Sequence, residues 1–459
     1  MQKRRYVGDA AFYKTALTVA MPIMAQNLIT NLVNMLDNLM VGSLGTEPMS
    51  GVSIVNQLIF VFNLAIFGSM SGTGIFTAQY YGREDNEGIR YTLRFKLVSA
   101  LLIFAVALTL LLLFPDQLIG LYLHGAEEAG DLTETLGCGR RYLSVMLFGL
   151  LPFALTQVFS DTMRETGDTV TPMAAGFAAV VINCGLNYLL IFGKCGFPAL
   201  DVQGAAIATV TSRAAELFIL LACMLLRKKK YPYLKGAFRS LYVPAACMAA
   251  FLRKGAPLFL NELLWSAGMS TLSAAYSLHG LTVVAASNIS ATVFNLFSIA
   301  CMSMGVAIGI IVGKLLGANR HEESVETARK LILFSELLGV GVGLLMFFGG
   351  SAVPLLYKTD PASKDLAAYF IRVDGVIMPA IAFANAAYFT LRSGGKTVVT
   401  FLFDSVFMWA VSVPAAFAMT LQFKSEIHTV FAVVQALDLL KCVVGFIMLK
   451  TRVWVRTIV

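Results

Sequence analysis

Asp37 is the residue from which a chemistry can first be read. It lies in an apolar stretch, 13–41, that carries Pro22 near its start and closes on Asn38, Gly42 and Gly45. At about 1.5 Å per residue a helix of that length crosses a hydrocarbon core of about 30 Å, so the carboxylate sits inside a membrane. A bare acid there costs on the order of 2.5–3.5 kcal/mol. It needs a partner, a water-filled cavity or a proton, and each of these leads toward ion-coupled transport. Asn183 and Asn187 stand four apart in another apolar stretch and therefore share a helix face. With Asp37 and a hydroxyl they supply oxygen ligands for sodium, or they hold the protonated acid by hydrogen bonds. The structural alternative is polar cross-linking between helices. Two more acids fall within apolar stretches: Glu262, five residues after Pro257, and Asp404, between Gly394-Gly395-Lys396 and Trp409. Asp404 reads equally as structural or cavity-lining. Arg213 with Glu216 and Asp438 with Lys441 are three apart and read as pairs within one helix.

The elements that must position these residues are membrane helices. Apolar windows bounded by charge, Gly or Pro predict twelve, near 13–41, 50–79, 92–114, 141–163, 170–192, 203–226, 256–278, 284–313, 330–350, 366–391, 397–421 and 428–449. The fold class is all-α integral membrane. Arg227, Lys228, Lys229, Lys230, Lys235, Arg239, Arg253 and Lys254 crowd one connection, 227–255, which places that segment in the cytoplasm. Counting back six spans puts the N-terminus there as well, in agreement with Lys3, Arg4 and Arg5. The acidic loop 115–139 is then external and both chain ends are cytoplasmic, as expected of a multi-pass protein of the cell (inner) membrane. The first apolar run is of full span length and contains Pro, Gln and Asn, so it reads as a retained helix and not a cleaved signal.

Composition agrees. The chain is 58% hydrophobic and 14% charged, where soluble domains carry roughly 25% charge. Its net charge of +8 is distributed between spans, where it sets orientation; no nucleic-acid partner is expected. Seven cysteines at 138, 184, 195, 223, 247, 301 and 442 show no metal spacing, and no disulfide framework or metal site is expected. The histidines, His124, His279, His321 and His428, fall near predicted loops, and neither a nucleophile motif nor a Gly-rich phosphate loop is present, which argues against an intramembrane enzyme and against ATP drive.

The chain repeats. A shift of 235 residues aligns Pro22 with Pro257, Gly45 with Gly280, Gly74-Ile75 with Gly309-Ile310, Gly82 with Gly317, Arg94 with Arg329 and Leu121-Tyr122 with Leu356-Tyr357. A shift of 228 pairs Thr162, Arg164, Gly167 and Thr169 with Thr390, Arg392, Gly395 and Thr397. Six spans per copy is an even number, so the copies enter the membrane in the same sense, as in transporters built from parallel repeats.

These residues carry a family resemblance. Pro22 and Asp37 followed by Gly42 and Gly45, the paired Thr-x-Arg-x-x-Gly turns, and Pro257 with Asn261-Glu262 resemble the multidrug and toxic compound extrusion (MATE) transporters, over nearly the whole chain. The resemblance implies a V-shaped pair of six-helix lobes, 1–226 and 256–459, joined by the linker 227–255. It implies export of amphipathic, often cationic compounds in exchange for protons or sodium. It assigns the coupling ion to Asp37, Asn183, Asn187 and Thr209, the last within Gly204-Ala-Ala-Ile-Ala-Thr209. It makes Glu262 a group for cationic substrate or a second proton, likens the run around Asp404 to the eleventh helix, and makes Pro22 a hinge whose bend follows protonation, a fixed kink being the other reading. Sodium-coupled relatives can carry Asp where this chain has Asn187; the amide lowers the carboxylate count to one and favours a proton. The expected partners are small substrates and membrane lipids, the expected state a monomer, and no cofactor beyond the coupling ion. The alternative is a lipid-linked oligosaccharide flippase of related fold, which would line its cavity with several cations; here the spans hold mainly Arg213, Arg372 and Lys441.

Overall fold

A computed structural model describes residues 7–120, 132–357 and 359–459. Among them the chain is helical and contains no strand. The long helices are α1 (Ala10–Gly42), α2 (Thr46–Gly82), α3 (Asn86–Leu113), α5 (Leu132–Glu165), α6 (Val170–Phe192), α7 (Asp201–Leu226), α8 (Ala245–Ser277), α9 (Leu281–Gly317), α10 (His321–Phe348) and α11 (Pro361–Ser393). Two more, α12 (Thr397–Gln422) and α13 (Ile427–Lys450), complete the set, and a short α4 (Pro115–Gly120) precedes α5. Eleven of the twelve long helices meet the length and apolarity needed to cross a membrane; α8, with 33 residues, meets the length.

Most helices outrun their predicted windows. The apolar window marks the hydrocarbon, whereas the hydrogen-bond ladder continues into polar turns on either side. Thus α10 starts at His321 instead of 330, and α8 at Ala245, so that the last eleven residues of the predicted linker 227–255 are helical. Lys3, Arg4, Arg5, His124, Leu121-Tyr122 and the acidic centre of the 115–139 loop lie outside the described residues.

Two compact units are present. Of the described residues, the first comprises those in Ala25–Thr77 and Asn86–Ala250; the second comprises those up to Met24 and in Ala78–Asp85 and Phe251–Val459. In the first, α6 and α7 approach so closely that a Cβ on Gly204 would lie 2.6 Å from the Leu190 carbonyl oxygen. Small residues let helix backbones meet where no hydrophobic effect drives association. In the second, Ala16, Met304, Ala307, Ile308, Val312, Leu331 and Leu391 belong to one continuous core. There Gly82 and Gly317, aligned by the repeat, face each other's helices: a Cβ on Gly82 would stand 1.9 Å from Lys314 O, and one on Gly317 would stand 1.9 Å from Gln79 O.

The repeat also appears in the backbone. Gly45 and Gly280 have φ of +131° and +106°, and Gly167 and Gly395 have φ of +87° and +74°, a region open to glycine and strained for most other residues. Each pair turns the chain at the same place in its copy.

The basic connection is built onto the first unit. The Asp168 carboxylate accepts from Thr171 N (3.1 Å), Thr171 Oγ1 (2.7 Å), Lys230 Nζ (2.7 Å) and the Tyr231 hydroxyl. Arg90 Nε donates to Tyr233 O at 3.2 Å, and the Arg94 guanidinium donates to the carbonyls of Gly236, Ala237 and Tyr242. Tyr231 and Tyr233 are buried beneath it. Burial pushes the Asp168 carboxyl up, but its hydrogen bonds from Lys230, Tyr231 and Thr171 outweigh that and hold it below the usual carboxylate range.

Candidate functional site

Asp37 lies five residues before the end of α1, and the first unit assembles an unbroken polar chain beside it. Asn187 Nδ2 donates to Asp37 Oδ1 at 2.5 Å and to Asn183 Oδ1 at 3.2 Å. Asn183 Nδ2 in turn donates to Thr209 Oγ1 at 3.4 Å, and that hydroxyl donates to Ala205 O one turn back at 3.0 Å. Asn183 and Asn187 share a face of α6 because they are four apart, and α7 supplies Thr209 because the Gly204 contact brings it close. The four residues expected to hold the coupling ion are therefore together. Asn183 and Asn187 are buried; Asp37 and Thr209 are half-buried. Asn187 Oδ1 is buried and has no partner among the described residues. Both donors of the same amide are committed, so the oxygen is its one open hydrogen-bonding position.

Two neighbours were not placed beside Asp37 by sequence. The Arg213 guanidinium, read as the partner of Glu216 and as one of the cations of the spans, does form that pair at 3.0 Å, and its charge also acts on Asp37. Tyr142, whose hydroxyl lies 3.3 Å from Asn56 Oδ1, feels the charge of Asp37 as well. An inventory of intramembrane cations also needs correcting: Lys96, in the first turns of α3, is fully buried and pairs with Glu165 of α5, with Thr162 Oγ1 at 3.5 Å. Its partner is 69 residues away, beyond any helical period.

The second unit places its acids differently. Glu262 on α8 feels the charges of Arg392 and of Asp404. Asp404 accepts from Asn261 Nδ2 at 3.0 Å and lies 3.8 Å from Lys441 Nζ; Lys441 makes the expected pair with Asp438 at 3.0 Å. Asp374, to which no role was given, is buried and accepts from Ser290 Oγ at 3.0 Å and Gln435 Nε2 at 2.6 Å. Pro22 is buried within α1 and Pro257 lies within α8, both inside continuous helices.

The MatE family model matches residues 22–189 and again 257–418. The two matches begin at Pro22 and Pro257, the same 235 residues apart as the internal repeat. A probable multidrug resistance protein NorM of Thermotoga maritima is 26% identical over 411 residues, covering 90% of this chain and 86% of that protein. The probable multidrug resistance protein YoeA of Bacillus subtilis is 24% identical, covering 88% and 86%. Among solved structures, a MOP superfamily transporter from Pyrococcus furiosus superposes with a TM-score of 0.83 at 20% identity, covering 97% of this chain and 96% of that one. A mutant of the Vibrio cholerae MATE transporter VcmN gives 0.82 at 16% identity, covering 96% and 97%. Those likenesses give the fold: an all-helical, multi-pass membrane protein built from a repeated six-helix unit. With both halves matched by the family model, the chain belongs to the MatE family.

Proposed function

We propose that this protein is a secondary active multidrug exporter that exchanges amphipathic, often cationic compounds for protons by alternating access of two lobes. The observation that carries the reading is the chain Asp37–Asn187–Asn183–Thr209: one carboxylate, hydrogen-bonded through neutral groups and with Arg213 as the one cation acting on it among the described residues, beside a buried amide oxygen awaiting a donor. A protonated acid needs no more than such partners, whereas a sodium ion must be repaid for its lost hydration by several oxygens, and the Asn183 carbonyl here is already taken by Asn187. The relatives named as multidrug resistance proteins support the substrate class. In this reading Pro22 serves as the hinge of α1, and Glu262 offers negative charge to a cationic substrate. Asp404, engaged by Asn261, belongs to the same acid group. The lobes are 1–226 and 256–459, and the linker and both chain ends face the cytoplasm of a cell (inner) membrane protein that works as a monomer.

The test is export from proteoliposomes under a proton gradient alone and then a sodium gradient alone. A proton crossing with 100 mV gains about 2.3 kcal/mol, and each pH unit adds roughly 1.4 kcal/mol. For one-for-one exchange with a monovalent cation the electrical terms cancel, so export should follow pH and scarcely respond to voltage. Asp37→Asn keeps the side-chain shape and removes a costly charge, so it should insert normally while gradient-driven export falls to background. Export retained in that variant would remove Asp37 from the coupling role, and strong sodium-driven export by the unaltered chain would replace the proton.

A further inference from the structure

Away from Asp37, the second unit holds a group of charges that proton exchange leaves unused. Lys441 Nζ lies 3.0 Å from Asp438 Oδ1 on its own helix, 3.8 Å from Asp404 Oδ1 on α12, and 5.3 Å from the centre of the Phe407 ring. The other oxygen of Asp404 accepts from Asn261 Nδ2 at 3.0 Å. Ser405 Oγ donates to Asn261 Oδ1 at 2.7 Å, which fixes the amide with its nitrogen toward the acid. The Lys441 side chain is only 11% exposed and the two acids are about one-quarter exposed, so the ammonium is the most enclosed member of the cluster.

An ordinary pair of neighbours three apart would have one acid and one base. Here two carboxylates share one ammonium, and an aromatic face closes over it, a surrounding that suits any monovalent cation. Around the cluster, Asp404 acts on Glu262 of α8, on which the charge of Arg392 of α11 also acts, and Glu336 of α10 acts together with Asp438 and Lys441 on Cys442. The backbone is special at the same place. In α12, Leu402–Val406 and Met408–Ser412 form π turns, and α13 breaks at Leu437 into Ile427–Ala436 and Asp438–Lys450. Irregular turns at membrane depth are tolerated where protein or a cavity satisfies them, and π turns gather at functional sites.

We propose that Lys441 is a specificity-determining residue: its ammonium is the resident cation of a two-carboxylate site formed by Asp404 and Asp438, and it keeps free sodium out of that site. The chain thus retains the acids of a second cation site while filling it from within. The inference rests on the reading of the chain as a cation exchanger, but its test reads ion binding and not export, so either can fail alone.

The experiment follows the thermal midpoint of the full chain in detergent, in sodium chloride against N-methylglucamine chloride at equal ionic strength. All variants carry Asp37→Asn, so that the first unit's acid contributes nothing. The parent and Lys441→Arg should show no sodium-specific rise. Lys441→Gln should gain a saturable rise of several degrees, because an ion that binds only the folded state stabilises it. Adding Asp404→Asn should abolish the gain. No gain in Lys441→Gln, a gain that survives Asp404→Asn, or the same rise in the parent would each overturn the proposal. If Lys441→Gln does not fold, Lys441→Gln with Asp438→Asn preserves the net charge of the cluster and leaves Asp404 to take the ion; a sodium-specific rise there supports the proposal and its absence overturns it.

Discussion

Asp168→Asn should release the basic connection from the first unit while leaving the membrane helices in place. In the wild-type protein one carboxylate oxygen accepts from Thr171 Oγ1, Lys230 Nζ and the Tyr231 hydroxyl, and the other accepts from Thr171 N. An amide keeps one acceptor and loses the charge. Charged hydrogen bonds exceed neutral ones by about 1 kcal/mol each, which applies to the buried Tyr231 and to Thr171. The Lys230 side chain is 49% exposed, so its ion pair is discounted to roughly 0.5 kcal/mol. Together these give about 2–3 kcal/mol of local docking energy, or roughly a 30- to 150-fold larger open population at 1.4 kcal/mol per decade. Hydrogen exchange of the 231–242 amides should accelerate by that factor at neutral pH, with α5 and α6 unchanged. The sign with pH follows from the lowered carboxyl: folded Asp168 releases its proton more readily than the unfolded chain does, so its contribution is fully present above the ordinary carboxylate range and is lost as pH falls through its folded-state value. Wild type and variant, corrected for intrinsic exchange, should therefore converge in acid. Equal protection at neutral pH would refute the docking role of this carboxylate.

Glu262→Gln should weaken binding of cationic substrates more than neutral ones, since the lost contribution is charge pairing in a low-dielectric setting; equal losses in a binding titration would point to a structural role. Gly317→Ala should lower the thermal midpoint and folded yield by fluorescence-detected size exclusion, because its Cβ meets a backbone oxygen that cannot rotate away. Gly82→Ala should do the same, and the double variant should cost less than the sum, since both act on one helix crossing. Asn187→Asp, by adding a second carboxylate beside Asp37, should raise sodium-driven export relative to proton-driven export in proteoliposomes, and an unchanged ratio would show that the count of acids there does not select the ion.

The helices were legible because hydrocarbon thickness writes itself into apolar windows, and the duplication was legible because the same glycine turns recur at fixed offsets. The Asn183–Asn187 face was legible from helical spacing. What spacing could not reveal was any pairing between distant segments. Lys96 with Glu165 and Asp168 with Lys230 join residues 69 and 62 apart, and sequence reading accordingly undercounted buried cations and did not show that part of the 227–255 connection is docked and its last eleven residues helical. The hydrogen bond from Asn187 to Asp37 spans 150 residues; sequence supplied the residue types, and packing of α6 against α1 supplied the register.

The repeat explains why two equivalent frameworks carry different chemistry. Arg164 and Arg392 occupy the same place in the two Thr-x-Arg-x-x-Gly turns. In the first unit Arg164 pairs with Asp161 at 3.0 Å, three residues earlier, and donates to Gln26 Oε1 of α1 at 2.6 Å. In the second unit the residue three before Arg392 is Phe389, whose ring lies 5.3 Å below the guanidinium, and the position matching Gln26 is Asn261, followed by Glu262. One copy has therefore satisfied its arginine with a local acid and a neutral amide. The other has exchanged the acid for an aromatic face, and the charge of Arg392 acts on Glu262 of α8 instead. An acid met by a long-range cation within a membrane is easier to exchange for a ligand cation than one locked to its own helix, because its partner keeps other stabilising contacts when the acid turns away. That difference, and not the shared scaffold, supports the proposal that Glu262 meets substrate charge, and it predicts that Arg392, whose charge acts on Glu262, sets how strongly a cationic compound must compete.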